Sequence, residues 1–214
     1  MGRPAGPTRD TKALICERAL DVFAEKGYTA STMRDIAHGA GMSIVFPAWM
    51  KDASLYNHFS SKRDLFDATV SLQLERLTNL LRSHQALAHP EDNAAAYATD
   101  DPNRLLSTVL ASYEPFFSDP AIIKLRHILE AERHTDPSIF QLYRTIFITR
   151  PIQLQETIFA QLIARGYLGP CDTELAARQF HGAVFLALSE EMPWDDARRF
   201  IAKHLDAFQS EHRI

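Results

Sequence analysis

Cysteine is scarce in this chain: Cys16 and Cys171 are the only two in 214 residues, and neither has a partner at metal-ligand spacing. That excludes a disulfide framework or a cysteine zinc site and leaves two plain thiols suited to a reducing compartment. Also missing is any run of about 18 apolar residues, so no segment is built to span a membrane. The first residues lack the apolar core of a signal peptide, and a cytoplasmic location is expected. Catalytic signatures are wanting too: there is no nucleophile elbow, phosphate-binding glycine loop, metal-spaced His/Glu cluster or paired-carboxylate site. Glu130, Glu132, Glu190 and Glu191 read as solvated helix faces. His127 and His134 lie seven apart on one expected helix but lack a third ligand, so neither a metal nor another cofactor is expected. An enzyme is therefore not expected. Nowhere does apolar and polar residue alternation run long enough for a strand, which makes the expected fold all-α.

What is present is an ordinary globular composition, 46% hydrophobic and 23% charged. The net charge of −4 is unevenly divided. Residues 1–63 hold nine Lys/Arg and six Asp/Glu, a balance of +3, and the remainder carries −7. One end is thus suited to face phosphates and the other to repel them. Met1 to Thr8 contains two glycines and two prolines and reads as an unstructured arm in isolation. Arg3 could enter a minor groove from it, or the arm could be a simple tail.

The stretch 31–63 reads as two short helices and a turn, followed by a longer helix. Thr32 can cap the first, whose Met33, Ile36, Ala37 and Ala40 share a face, and Gly39 and Gly41 break it. The second carries Leu55 and Phe59 inward at i and i+4. Lys51, Asp52, Ser54, Tyr56, Asn57 and His58 are left to face outward, more hydrogen-bonding side chains than core duty requires. A helix of this kind, braced by its predecessor, fits a DNA major groove. A helix over about residues 9–26, stopped by Gly27, would brace the pair. Ser60 or Ser61 would cap the longer helix, running to about His84 with Leu65, Phe66, Val70, Leu74, Leu77 and Leu81 as its stripe. Lys62 and Arg63 at its start are placed to form a phosphate clamp.

These residues resemble a known family. Thr-x-Arg-Asp-Ile-Ala-x-x-Ala-Gly, then Ala-Ser-Leu-Tyr-Asn-His-Phe-Ser-Ser-Lys, together with Phe-Ala-Glu-Lys-Gly-Tyr at 23–28, resemble the signature of TetR/AcrR transcriptional regulators over roughly the first 66 residues. The resemblance implies a helix-turn-helix DNA-binding domain at 1–63 and a helical effector-binding and dimerisation domain at 64–214. It implies phosphate contacts from Tyr56, His58 and Lys62, further backbone contacts from Thr32 and Arg34, and base-edge approach by Lys51, Asp52, Ala53 and Ser54, with Asn57 on the same outward face. One departure is plain: residues 43–50, Ser-Ile-Val-Phe-Pro-Ala-Trp-Met, intervene where such regulators have a short turn. They could lengthen the recognition helix, loop out as a flap, or be mobile without DNA.

Downstream, Asp101-Pro102, Asp119-Pro120 and Asp136-Pro137 each place a capping Asp before a Pro suited to the first helical position. Helices are expected over about 102–117, 120–133 and 137–165, the last kinked by Pro151. Two more, over 172–188 and 194–209, close the chain. Aromatic residues here fill a core or, as the resemblance implies, partly line a ligand cavity, with Phe116, Phe117, His127, Tyr143, Phe147 and Phe180 as candidates. The last two helices are the expected homodimer interface through Ala176, Phe180, Ala183, Val184, Ala187, Phe200 and Leu205. The function expected is a ligand-responsive regulator, most often a repressor, binding palindromic double-stranded operator DNA as a homodimer and released by a small-molecule effector. The alternative is a helical small-molecule or protein-binding module whose DNA binding was lost or altered by the inserted segment.

Overall fold

The computed structural model describes residues 11–38, 55–89 and 92–212, and every regular element among them is helical. The fold expected from periodicity is the one found. Helix α1 (Thr11–Lys26) buries Ile15, Ala19, Leu20, Val22 and Phe23. Gly27 ends it at φ +83°, a conformation a Cβ disfavours. Helix α2 (Met33–His38) begins on a reciprocal cap. The Asp35 amide donates to Thr32 Oγ1 at 3.1 Å, while Asp35 Oδ2 accepts from the Thr32 amide at 2.8 Å and its hydroxyl at 2.6 Å.

Leu55 and Tyr56 are helical, and a turn through His58 brings Phe59 inward; Leu55 and Phe59 are both buried. Ser61 then caps α3 (Lys62–Ser83), accepting from the Asp64 amide. Rings of Phe23, Tyr28 and Phe66 cluster with centroids 4.5 to 5.8 Å apart, tying α1 to α3. Each fully buried Phe of this kind contributes about 1.5–3 kcal/mol. The inserted residues 43–50 and the base-edge candidates Lys51, Asp52, Ala53 and Ser54 lie outside the described residues.

All three Asp-Pro caps form. Asp101 opens α4 (Pro102–Ser118), Asp119 opens α5 (Pro120–Glu132) and Asp136 opens α6 (Pro137–Arg144), each carboxylate accepting from amides of the first turn. Between Ser83 and α4 the chain makes one 3-10 turn, Ala94–Ala96. Gln161 holds it through the Ala94 amide, and Arg150 grips the Ala88 carbonyl just before it.

The long helix expected over 137–165 is divided. After α6 comes a π-helical segment, Thr145–Thr149, in which the Arg150 amide reaches back to the Thr145 carbonyl; α7 (Arg150–Ala164) follows. Pro151 is the reason. It has no N–H for the Phe147 carbonyl four residues earlier, and its ring would press on that carbonyl, so the ladder widens by one residue. Helices α8 (Thr173–Ser189) and α9 (Trp194–Glu211) complete the molecule.

Two large hydrophobic clusters hold these elements, with a small third one of Leu77, Leu81, Ala86, Ala88 and Ile122. The first joins α1, α2, Leu55, Phe59 and α3 to Leu125, Ile128 and Leu129 of α5 and to Ile139, Tyr143 and Phe147. The second lies among α4, α7, α8 and α9.

Candidate functional site

Around the capped turn, Thr32, Arg34, Tyr56 and Asn57 are exposed, and His58 is half-buried. Tyr56 is 57% exposed although its neighbour Leu55 is 2% exposed, because successive positions on a helical turn are rotated by about 100° about its axis. Arg34 projects from α2 one residue after the buried Met33. Lys26 reaches across to Asp35 at 2.6 Å; this hydrogen bond and those from Thr32 hold the Asp35 carboxyl down at about 2.

Lys62 and Arg63, the pair expected to clamp a phosphate, are both engaged by groups of the protein itself. Lys62 Nζ donates to the carbonyls of Tyr28 (2.7 Å), Thr29 (3.2 Å) and Ser31 (2.8 Å), which engages all three ammonium N–H groups, and it sits 4.7 Å from the centre of the Tyr28 ring. Burial lowers its pKa against the opposing pull of Glu132. Arg63 is held by Asp67, Asp136 and Ser138. A flexible Lys stem ahead of a turn with orphan carbonyls finds those carbonyls first.

The same turn is gripped from the second half of the chain. Glu132, at the end of α5, accepts from the Thr29 amide at 2.9 Å, the Thr29 hydroxyl at 2.5 Å and the Thr135 hydroxyl at 3.3 Å. Burial pushes its pKa up, but these hydrogen bonds and the nearby Lys62 outweigh it, and the carboxyl titrates below the usual range. Glu132 is thus not the solvated residue that its sequence context suggested; it is 8% exposed.

Within the second cluster lies a cavity of about 650 Å³. Its walls come chiefly from α4, α7, α8 and α9, with Leu81 of α3 and with Leu87, Tyr97 and Phe147 from the connections. Four of the six ligand candidates, Phe116, Phe117, Phe147 and Phe180, line it. His127 and Tyr143 do not. His127 is partly exposed beside Glu191, and Tyr143 packs in the first cluster with Arg133 over its ring. Sequence reasoning left out the polar members of the wall. Tyr113 is hydrogen-bonded by Gln155 Nε2, Tyr97 pairs with Ser112 at 2.7 Å, and His181 Nε2 meets the Phe147 carbonyl at 2.9 Å. Burial, reinforced by the neighbouring Tyr97, raises the Tyr113 pKa and keeps it a neutral phenol. Burial lowers the His181 pKa, with the Phe147 hydrogen bond opposing.

The dimer candidates need correction. Ala176, Phe180, Val184, Ala187 and Leu205 are buried inside the protomer, all but Ala187 in the second cluster, and so are closed to a second copy. Ala183 and Phe200 are half-buried. Helix α8 is apolar on two sides, and periodicity picked the inner one. Its outer side carries Leu175 (54% exposed) and Leu186 (60% exposed), with Gly182 and Ala183 between them.

Comparison with known proteins places this geometry. Residues 15–69 match the family model of tetR-family bacterial regulatory proteins, and residues 104–194 match the C-terminal domain of AefR-like transcriptional repressors. The HTH-type transcriptional repressor KstR2 of Mycobacterium tuberculosis is 34% identical over 133 residues, 53% of this chain; the chain spans 62% of that relative's length. The IcaR negative regulator of the biofilm operon icaADBC in Staphylococcus aureus is 34% identical over 74 residues, 35% of this chain and 36% of that protein. Among solved structures, a Mesorhizobium loti protein described as TetR-family superposes with a TM-score of 0.72 at 19% identity, covering 98% of this chain and all (100%) of the other. KstR2 itself superposes at 0.57 with 22% identity, over 99% of this chain and 100% of that one. At such identities the superpositions speak for the fold alone, and the two family models carry the assignment. The chain belongs to the TetR family of bacterial regulatory proteins.

Proposed function

We propose that this protein is a ligand-responsive DNA-binding transcriptional regulator, acting as a repressor like the named relatives KstR2 and IcaR. The observation that carries the reading is the exposed set Thr32, Arg34, Tyr56 and Asn57, fixed in place by the Thr32–Asp35 cap and the buried pair Leu55 and Phe59. In this reading Tyr56, His58, Thr32 and Arg34 contact phosphates and set the register. Lys51, Asp52, Ala53 and Ser54 approach base edges. Lys62 acts indirectly, by holding the turn that carries α2.

The DNA-reading unit spans residues 1–63 and the effector and dimerisation unit 64–214. Two copies pair through the outer side of α8 with α9 and read a near-palindromic operator in the cytoplasm. A small molecule in the cavity regulates the pair. Helix α5 abuts the turn through Glu132 and packs against α4, which walls the cavity together with α7, α8 and α9. A ligand that binds one arrangement of these helices better shifts the spacing of the two reading heads.

The test is binding of purified protein to fragments of its own genome, followed by titration of a selected site against salt. A steep fall of affinity with salt at a discrete palindromic site is expected. Uniform weak binding to every fragment would leave the fold as a small-molecule or protein-binding module and overturn the reading.

A further inference from the structure

The polar chemistry of the cavity wall restricts what can enter it. Pro151 has no N–H to offer the Phe147 carbonyl four residues earlier, and His181 Nε2 sits 2.9 Å from that oxygen. A carbonyl only accepts, so Nε2 carries the proton. Burial keeps the ring neutral, and Nδ1 is therefore a bare acceptor. Among the described residues it has no partner, and His181 is 6% exposed. On the neighbouring helix Gln155, 7% exposed, directs Nε2 to Tyr113 and leaves Oε1 equally without a partner. Both residues line the cavity. Two buried acceptors on one wall call for a donor, since each unsatisfied polar atom is costly.

Charge narrows the choice further. Among the described residues no lysine or arginine lines the cavity; its formally charged side chains are Asp100 and Asp206. A carboxylate or phosphate ligand would lose its hydration there and meet acceptors and negative charge in return. The rest of the wall is chiefly aromatic and aliphatic, with Phe116, Phe147, Phe159 and Phe180 prominent.

We propose that the effector is an uncharged, largely apolar molecule bearing a hydroxyl or N–H group, and that it delivers this donor to His181 Nδ1, with Gln155 Oε1 as the second acceptor on the same wall. The proposal rests on the reading of the cavity as an effector site, and its test separates the two. Three probes sharing one ring system are titrated calorimetrically into the full-length protein: 9-phenanthrol, 9-methoxyphenanthrene and phenanthrene-9-carboxylate. The phenol should bind about tenfold tighter than the ether, the worth of one hydrogen bond. The carboxylate should bind most weakly. In His181→Phe the phenol-to-ether ratio should fall to about one while ether binding persists; circular dichroism checks that the variant is folded, and if it is not, the wild-type series decides alone. An ether or carboxylate that equals the phenol on the wild-type protein overturns the donor assignment, as does an unchanged ratio in folded His181→Phe. If none of the three binds saturably, the effector reading of the cavity fails first and this proposal with it.

Discussion

Lys62 and Tyr56 sit close in sequence but should fail in different ways. Lys62 satisfies three carbonyls of the turn before α2, so Lys62→Met leaves three acceptors short and should cost about 1–3 kcal/mol of stability. DNA affinity should fall with it, but the slope of log affinity against log salt should stay the same, because no phosphate contact is lost. Tyr56→Phe removes only an exposed hydroxyl. Its melting temperature should not move, whereas affinity should weaken several-fold at every sequence tested. A salt slope that drops by about one in Lys62→Met would return that residue to the phosphate contacts. Glu132 gives the third residue-scale expectation. Its folded pKa lies below the ordinary 4.5, so its stabilisation is complete above that pH and is lost as pH falls through the folded value. Asp35, lowered from 3.8 to about 2, adds to the same acid limb between those values. Acid unfolding of the N-terminal helices should therefore begin below about pH 4.5, and Glu132→Gln should flatten that limb in a pH series of thermal melts. An unaltered acid limb would show that Glu132 is not its source.

At the scale of elements, what could be read in advance was local. The Asp-Pro caps, the Thr32 cap and the Gly27 stop each depend on residues within a turn of one another, and all formed where their spacing put them. The π segment was legible only as a kink at Pro151, and the contact its Phe147 carbonyl makes with His181, distant in sequence, was not legible at all. The engagement of Lys62, the burial of Glu132 and the inner face of α8 were hidden for the same reason: each is settled by a partner on another element. The π segment also supplies a double-mutant test. His181→Ala should destabilise by about 1–3 kcal/mol by removing a buried hydrogen bond to the Phe147 carbonyl. In a Pro151→Ala background, the restored amide offers that carbonyl a donor, and the same change should cost less when both are measured by chemical denaturation. Equal costs in the two backgrounds would mean that His181 stabilises through packing alone.

For the whole molecule, association should follow the outer side of α8. Leu175 and Leu186 stand about three turns apart on it with Gly182 and Ala183 between, so a second helix can come close. Leu186→Glu should yield folded monomers in sedimentation, whereas Val184→Glu should lower the melting temperature by forcing a charge into the second cluster. A dimer that survives Leu186→Glu and Leu175→Glu together would move the interface to another face. The first cluster has a different consequence, one for how such genes can be recombined. The inner surface of the N-terminal helices is completed by Leu125, Ile128 and Leu129 of α5, and the turn before α2 is fastened to Glu132 of the same helix. A chimera that takes residues 1–63 from this chain and the remainder from a relative would pair that surface with a foreign α5. The N-terminal helices of this chain should therefore be exchangeable only together with the side of α5 that they rest on, which ties the fate of one end of the chain to a helix far along the sequence.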